Sequence, residues 1–211
     1  YEADVRHFHR YRIYNGKNTI NCRRLSLGMA KKLCEDIADL LLNERVMITI
    51  NDGTTSDFVM NVLERNHFEV LGNEYQERKA YTGTVAYVPY LDDISVDQEG
   101  RYVSGGVVKI NYVSGENIYP LSWDNGFITE CAFVFMRTIK SRDYAHIQIH
   151  KLVDGSYDIE NHIVDCTNGS EREVLEEKWK DLPSFANLAP VVHTGMEERQ
   201  FVIDKLNISN N

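Results

Sequence analysis

The 211-residue sequence predicts an α+β fold, with amino-terminal helices packed on a mainly antiparallel sheet. Two observations carry that expectation. Between residues 24 and 75 the apolar residues recur with helical spacing. From residue 83 onward, β-branched and aromatic runs alternate with tight-turn residues, as in a meander of neighbouring strands. No internal repeat or low-complexity linker divides the chain, and one domain over 1–211 is the expectation.

The first helix rests on Ala30, Leu33, Cys34, Ile37, Ala38 and Leu41, a stripe continuing over three turns, with Lys31, Lys32, Glu35, Asp36 and Asp39 on the other side. Ser26 is the expected N-cap and Asn43 the expected stop. Val46–Ile50 reads as a core strand fed by this helix, and Asn51-Asp52-Gly53 as a turn. A second helix opens at Thr54 and carries Phe58, Val59, Val62 and Leu63 on one side, with Asn66 near its end. Phe68, Leu71 and Tyr75 suggest a third, weakened by Gly72.

Strands are expected at 46–50, 83–90, 102–113, 127–137, 144–153 and 157–165, with a further one at 199–206. Asp124-Asn125-Gly126 is a hairpin turn signal, and Pro120 holds Tyr119 extended before it. Asp154-Gly155 supplies the turn between two later strands, and Gly105-Gly106 reads as a turn between shorter ones. Val174–Trp179 suits a short helix before Pro183, within a loop-rich stretch at 166–198.

Composition sets bounds on function. The formal charge is −9, from 32 acidic and 23 basic residues, and no basic stripe suited to gripping nucleic-acid phosphates runs along the chain. The densest basic cluster is Arg6, His7, His9, Arg10 and Arg12, followed by Arg23-Arg24; it reads as a solvated amino-terminal arm, or as a contact with a polyanion or neighbouring subunit. No apolar run is long enough for a membrane helix, and no signal peptide is present. The chain begins with Tyr1, which suggests processing or an excerpt. Cys22, Cys34, Cys131 and Cys166 are scattered; Cys34 and Cys131 read as buried small apolar residues in a reducing setting.

The catalytic and metal motifs fail one by one. In Tyr144–His150 the alternation puts Tyr144, His146, Gln148 and His150 on one strand face, read as facing solvent, and Ala145, Ile147 and Ile149 on the other. His146 and His150 are four residues apart, roughly 13 Å along a strand and too far to share a metal. Asp92-Asp93 and Asp97 lack the alternating oxygen ligands of a calcium loop, and read as an acidic hairpin tip before Gly100. The sequence holds no nucleophile elbow, phosphate loop or His-Glu-x-x-His pattern. Asn168-Gly169-Ser170 and Asn207-Ile208-Ser209 match glycosylation sequons by chance. No catalytic, cofactor-binding or metal-ligating residue is therefore named, and no cofactor is expected.

Two segments go beyond generic structure. Arg24 to Arg45 leads into Val46–Ile50, and some seventy positions later comes Pro120-Leu121-Ser122-Trp123-Asp124-Asn125-Gly126, with Glu130-Cys131-Ala132-Phe133 beyond it. In this order and spacing they resemble the amino-terminal half of phage portal proteins, in the branch found in tailed phages and prophages of Gram-positive bacteria. Tyr81 to Tyr90 fits that family's glycine-marked entry into strands, and the tail from Phe201 resembles the stretch before its stem helices. The resemblance is densest at 24–50 and 117–135 and weak over 166–198.

The resemblance implies a portal wing without the stem, clip and tunnel helices. It implies a structural, non-enzymatic subunit of a homo-oligomeric ring, typically a dodecamer, at the capsid vertex of the virion. Such a ring assembles in the host cytoplasm beside the major capsid or scaffolding protein. It provides the channel for DNA packaging and ejection, passes DNA without sequence-specific binding, and meets terminase and the head–tail adaptor through other parts. It implies no membrane. A generic protein-binding module and a hydrolase with a dispersed Asp/His site are the alternatives.

Overall fold

The computed structural model describes residues 10–23, 28–42, 46–97 and 102–206. In chain order these form β1 (Arg10–Tyr14), β2 (Thr19–Arg23), α1 (Met29–Leu41), α2 (Gly53–Arg65), α3 (Phe68–Thr82), β3 (Thr84–Val96) and β4 (Tyr102–Ser114). They continue as β5 (Ile118–Asp124), β6 (Phe127–Ile139), β7 (Arg142–Val153), β8 (Ser156–Asp165), β9 (Arg172–Glu173), β10 (Val191–His193) and β11 (Val202–Lys205). The pairings are antiparallel throughout, which is the predicted α+β class.

Two sheets stack beneath the helices. The smaller has the order β11-β3-β4; the larger runs β10-β8-β7-β6-β5, with β9 pairing on β8. Registers show which faces meet. Ala86, Val88, Val113 and Ile203 project from one side of the small sheet onto Cys131, Phe133 and Phe135 of β6, and Phe201 closes the cluster. The opposite side of the small sheet receives α3: Phe68 meets Tyr87, and Tyr75 meets Tyr112, at ring-centroid distances of 6.1 and 5.3 Å. A second cluster lies towards one end of the large sheet, where Trp179 and Phe185 cover Ile139, Tyr144 and Ile163.

Local chemistry explains the element ends. The Asp52 carboxylate caps α2 by accepting the Thr55 backbone N–H at 3.1 Å. Asn66, at the other end of α2, treats the edge of β4 as a strand would: its Nδ2 donates to the Val108 carbonyl, and its Oδ1 accepts from the Ile110 N–H at 2.9 Å. Gly72 is buried in α3 between Leu42 and Phe68, so the residue that weakens the helix signal is the one that admits α1. Pro120 is tolerated because β5 is an edge strand with an irregular register.

Several expectations are corrected. Residues 46–50 form no strand: among the described residues no other segment pairs with them, and Met47 is 86% exposed. Their β-branched composition signals a strand, but composition supplies no partner. Gly105-Gly106 is not a turn, since β4 runs through both residues. Its backbone there has positive φ opposite Asp93, also at positive φ, and a Cβ on Gly105 would lie 2.7 Å from the Asp93 carbonyl oxygen. Gly105→Ala is therefore expected to destabilise the fold by about 1–3 kcal/mol, read as a lowered midpoint in urea titration. The short helix expected at 174–179 before Pro183 is present as a 3-10 turn shifted two residues on, Glu176–Asp181.

The polarity of β7 is also reversed. Tyr144, Gln148 and His150 are buried and His146 is partly so, because that face meets Phe133 and Phe135 across β6. The supposed solvated arm contains the β1–β2 hairpin. Ser26, Asn43, residues 1–9, the hairpin tip at 98–101 and the tail from 207 lie outside the described residues.

Candidate functional site

The interior carries a row of polar side chains where a sandwich core is usually apolar. His146 Nε2 lies 2.8 Å from Asn161 Oδ1, and Asn161 Nδ2 donates to the Ala189 carbonyl at 2.8 Å. His150 is fully buried, packed edge-on against Phe133 and Phe201, with Nε2 at 3.4 Å from Gln148 Oε1 and Nδ1 without a partner. Burial pushes its pKa down to about 4 and lowers that of His146 as well. The row ties β7 to β8 and to the segment before β10.

The other titratable groups are dispersed. His162 Nδ1 is 2.9 Å from Glu173, and His193 Nδ1 is 2.8 Å from Asp158. Burial pushes the Cys131 thiol up to about 12, opposite to what a nucleophile requires. Among the described residues no three His, Cys, Asp or Glu side chains converge as a metal-binding group. An open groove of about 400 Å³ lies between Tyr75, Arg78 and Tyr112 on one side and Met136 and Arg137 on the other. Arg78 there is held by Glu74 at 2.8 Å, by the Ser114 hydroxyl and by the Tyr75 ring.

A polar clasp joins distant parts of the chain. Gln76, on α3, donates to the Tyr87 hydroxyl at 3.0 Å and to Asp204 at 2.9 Å, and Lys79 reaches the same carboxylate at 2.5 Å. It fixes β11 under α3.

What remains is surface. On α1, Cys34 and Ala38 are buried, but Leu33 and Leu41 of the same stripe are exposed, as are Met29 and Leu40 beyond it. On the large sheet, the face turned away from the core carries exposed Tyr119 and Met136, with Val134, Ile147 and Ile149 half-buried between them. Apolar surface left on two separate faces suits a subunit that is covered by others.

Comparison with known families matches residues 3–191 to the phage portal proteins described as SPP1 Gp6-like. The chain belongs to the phage portal protein family. No match is found among curated individual proteins. The match spans both densest segments of resemblance, and it also includes 166–191, where the resemblance is weak. Membership assigns the portal a structural role at the phage capsid vertex, in genome packaging, as part of an oligomeric ring associated with the capsid. No described helix of this portal chain is long and apolar enough to cross a membrane.

No catalytic, cofactor or metal residues were named from the sequence, so there is no predicted site for the structure to assemble. The polar core row, the Gln76–Lys79–Asp204 clasp and the β1–β2 ribbon were not anticipated. Of these only the ribbon had a local signal, the Asn15-Gly16 pair between strand-like runs.

Proposed function

We propose that this chain is the wing of a portal subunit. It forms the outward bulk of a closed ring of about a dozen copies, each presenting one patch to a different patch on the next. The wing meets the capsid shell or scaffolding protein and neighbouring wings. Tunnel, stem and clip elements carry the DNA path and the contacts with terminase and the head–tail adaptor. DNA slides through the ring without sequence-specific contacts, and ATP hydrolysis belongs to the motor, so the portal performs no bond chemistry. The ring is assembled in the host cytoplasm and stays at the capsid vertex of the virion.

The observation that carries this reading is the family match over 3–191. The shape supports it. The longest helix among the described residues is α3, at 15 residues, about 22 Å at 1.5 Å per residue and too short for a stem. The exposed apolar residues on α1 and on the outer sheet face also suit a subunit that is covered on assembly.

Light scattering on the full-length gene product, beside this chain, tests the assignment. A ring of about a dozen subunits for the long form, with a much smaller species for this chain, is the expected result. A full-length monomer or dimer would overturn it.

A further inference from the structure

Two incomplete pieces of sheet occur in the same chain. The first is an edge. β7 pairs with β6 from Cys131↔His150 to Ile139↔Arg142, but on the other side β5 pairs with β6 only as far as Ile118↔Phe133. Among the described residues no strand pairs with 134–139 on that side. Successive residues of an antiparallel strand turn their N–H and C=O groups to opposite sides, so every second residue of 134–139 presents its pair to the open side. The open groove of about 400 Å³ lies against 134–137, with residues 111–114 of β4 across it.

The second piece is a strand sequence without a sheet. Val46-Met47-Ile48-Thr49-Ile50 lies between α1 and α2 and forms no strand, and Val46, Met47 and Ile48 are 44%, 86% and 39% exposed. Val46, Ile48 and Ile50 fall on one side of an extended chain, and Met47 and Thr49 on the other. A run that is apolar on both sides is the pattern of a strand covered on both faces, and this one carries no charge to bury. The β6 edge offers such cover. Val134 and Met136 belong to the outer face of the sheet, Phe135 packs on the core side, and Tyr75 and Tyr112 stand across the groove. Length agrees too: 46–50 extends about 16 Å and 134–139 about 20 Å at roughly 3.3 Å per residue.

Resting on the portal reading, we propose that 46–50 of one copy adds as a strand to the 134–139 edge of β6 in the next copy. The segment is exposed and the groove along the edge is open in the same chain, so the segment does not complete its own sheet. Main-chain hydrogen bonds along a bare edge supply affinity, and side chains on the two faces of the added strand supply specificity. Segment and edge are different patches. Each copy therefore gives a strand to one neighbour and receives one from the other, the head-to-tail contact that closes a ring by rotation. The same pairing covers an edge that otherwise invites aggregation.

Disulfide crosslinking of the full chain tests the exchange. Chains carrying Ile48→Cys or Thr49→Cys, one for each side of the segment, are oxidised together with chains carrying Met136→Cys, and the linked peptides are identified by mass. The control replaces Met136→Cys with Val202→Cys, exposed on β11 at the far edge of the small sheet. One of the two mixtures should form the interchain disulfide at least about tenfold faster than its control, because only Cα atoms within about 7 Å can be bridged. Val46→Asp with Ile48→Asp should weaken self-association in sedimentation at least about tenfold by placing charge in the paired strand. Its circular dichroism and urea midpoint should match wild type, since 46–50 forms no strand in its own chain. Crosslinking no faster than the control, or an aspartate variant that associates as well as wild type, would overturn the proposal. So would a chain carrying Ile48→Cys and Met136→Cys together that closes the disulfide within itself. Full-length rings without the crosslink would remove the exchange and leave the portal reading standing. The crosslink in this chain, with no rings from the full-length product, would do the opposite.

Discussion

Phe201→Ala is expected to cost about 3–5 kcal/mol of folding stability, as much as any single truncation in this chain. Phe201 is 1% exposed and sits where the two sheets meet, with its ring edge-on to Phe133 at 5.4 Å and to His150 at 5.5 Å. Alanine would open a cavity between rings that β6 and β7 hold in place, so little collapse can offset the loss. Phe201 lies outside the family match, which ends at 191. The prediction therefore tests whether the core needs the strand that follows. β11 is anchored a second time by Asp204, which accepts from Gln76 and Lys79 of α3. Urea titration followed by tryptophan fluorescence measures the effect, and Phe201→Leu should recover most of it because the volume is largely kept. A loss under about 1 kcal/mol for the alanine variant would show that β11 and its phenylalanine are not part of the cooperative unit.

The sequence shows most of the large sheet because its order is local. Asp124-Asn125-Gly126 and Asp154-Gly155 mark turns, and the runs between them alternate and are rich in β-branched and aromatic residues, so β6, β7 and β8 were legible nearly to their ends. The polarity of β7 was not. Assigning the apolar set Ala145, Ile147 and Ile149 to the core is the natural choice, yet register with β6 sends His146, Gln148 and His150 inward. Only the partner strand decides that, and the partner's face is a tertiary fact. Val46–Ile50 failed for a related reason: its composition suits a sheet that offers it no place. The clasp was beyond reach in another way, since Gln76 and Asp204 are 128 residues apart and neither belongs to a motif. The β1–β2 turn was visible in Asn15-Gly16, but the arginines around it directed attention to charge.

The inward histidines have a thermodynamic consequence. The folded pKa of His150 is about 4, below the ordinary 6.5. Between those values the unfolded chain holds a proton that the folded chain refuses. Folding stability therefore rises with pH across this window and falls as the solution is acidified from 6.5 towards 4. The full effect is about 3 kcal/mol at 1.36 kcal/mol per unit. His146, also lowered by burial, changes stability in the same direction. Asp52 and Asp165 have pKa values depressed below 3.8 by hydrogen bonds, so their losses come at lower pH and leave the histidine window clear. His150→Phe separates the contributions. The ring has similar size, carries no proton and removes the unpartnered Nδ1. In urea titrations from pH 7.5 down to 4.5 the variant should lose most of the wild-type slope. At neutral pH its stability should match or exceed wild type, since a buried polar atom without a partner is replaced by an apolar one. An unchanged slope would mean that the acid sensitivity comes from groups other than the ring between Phe133 and Phe201.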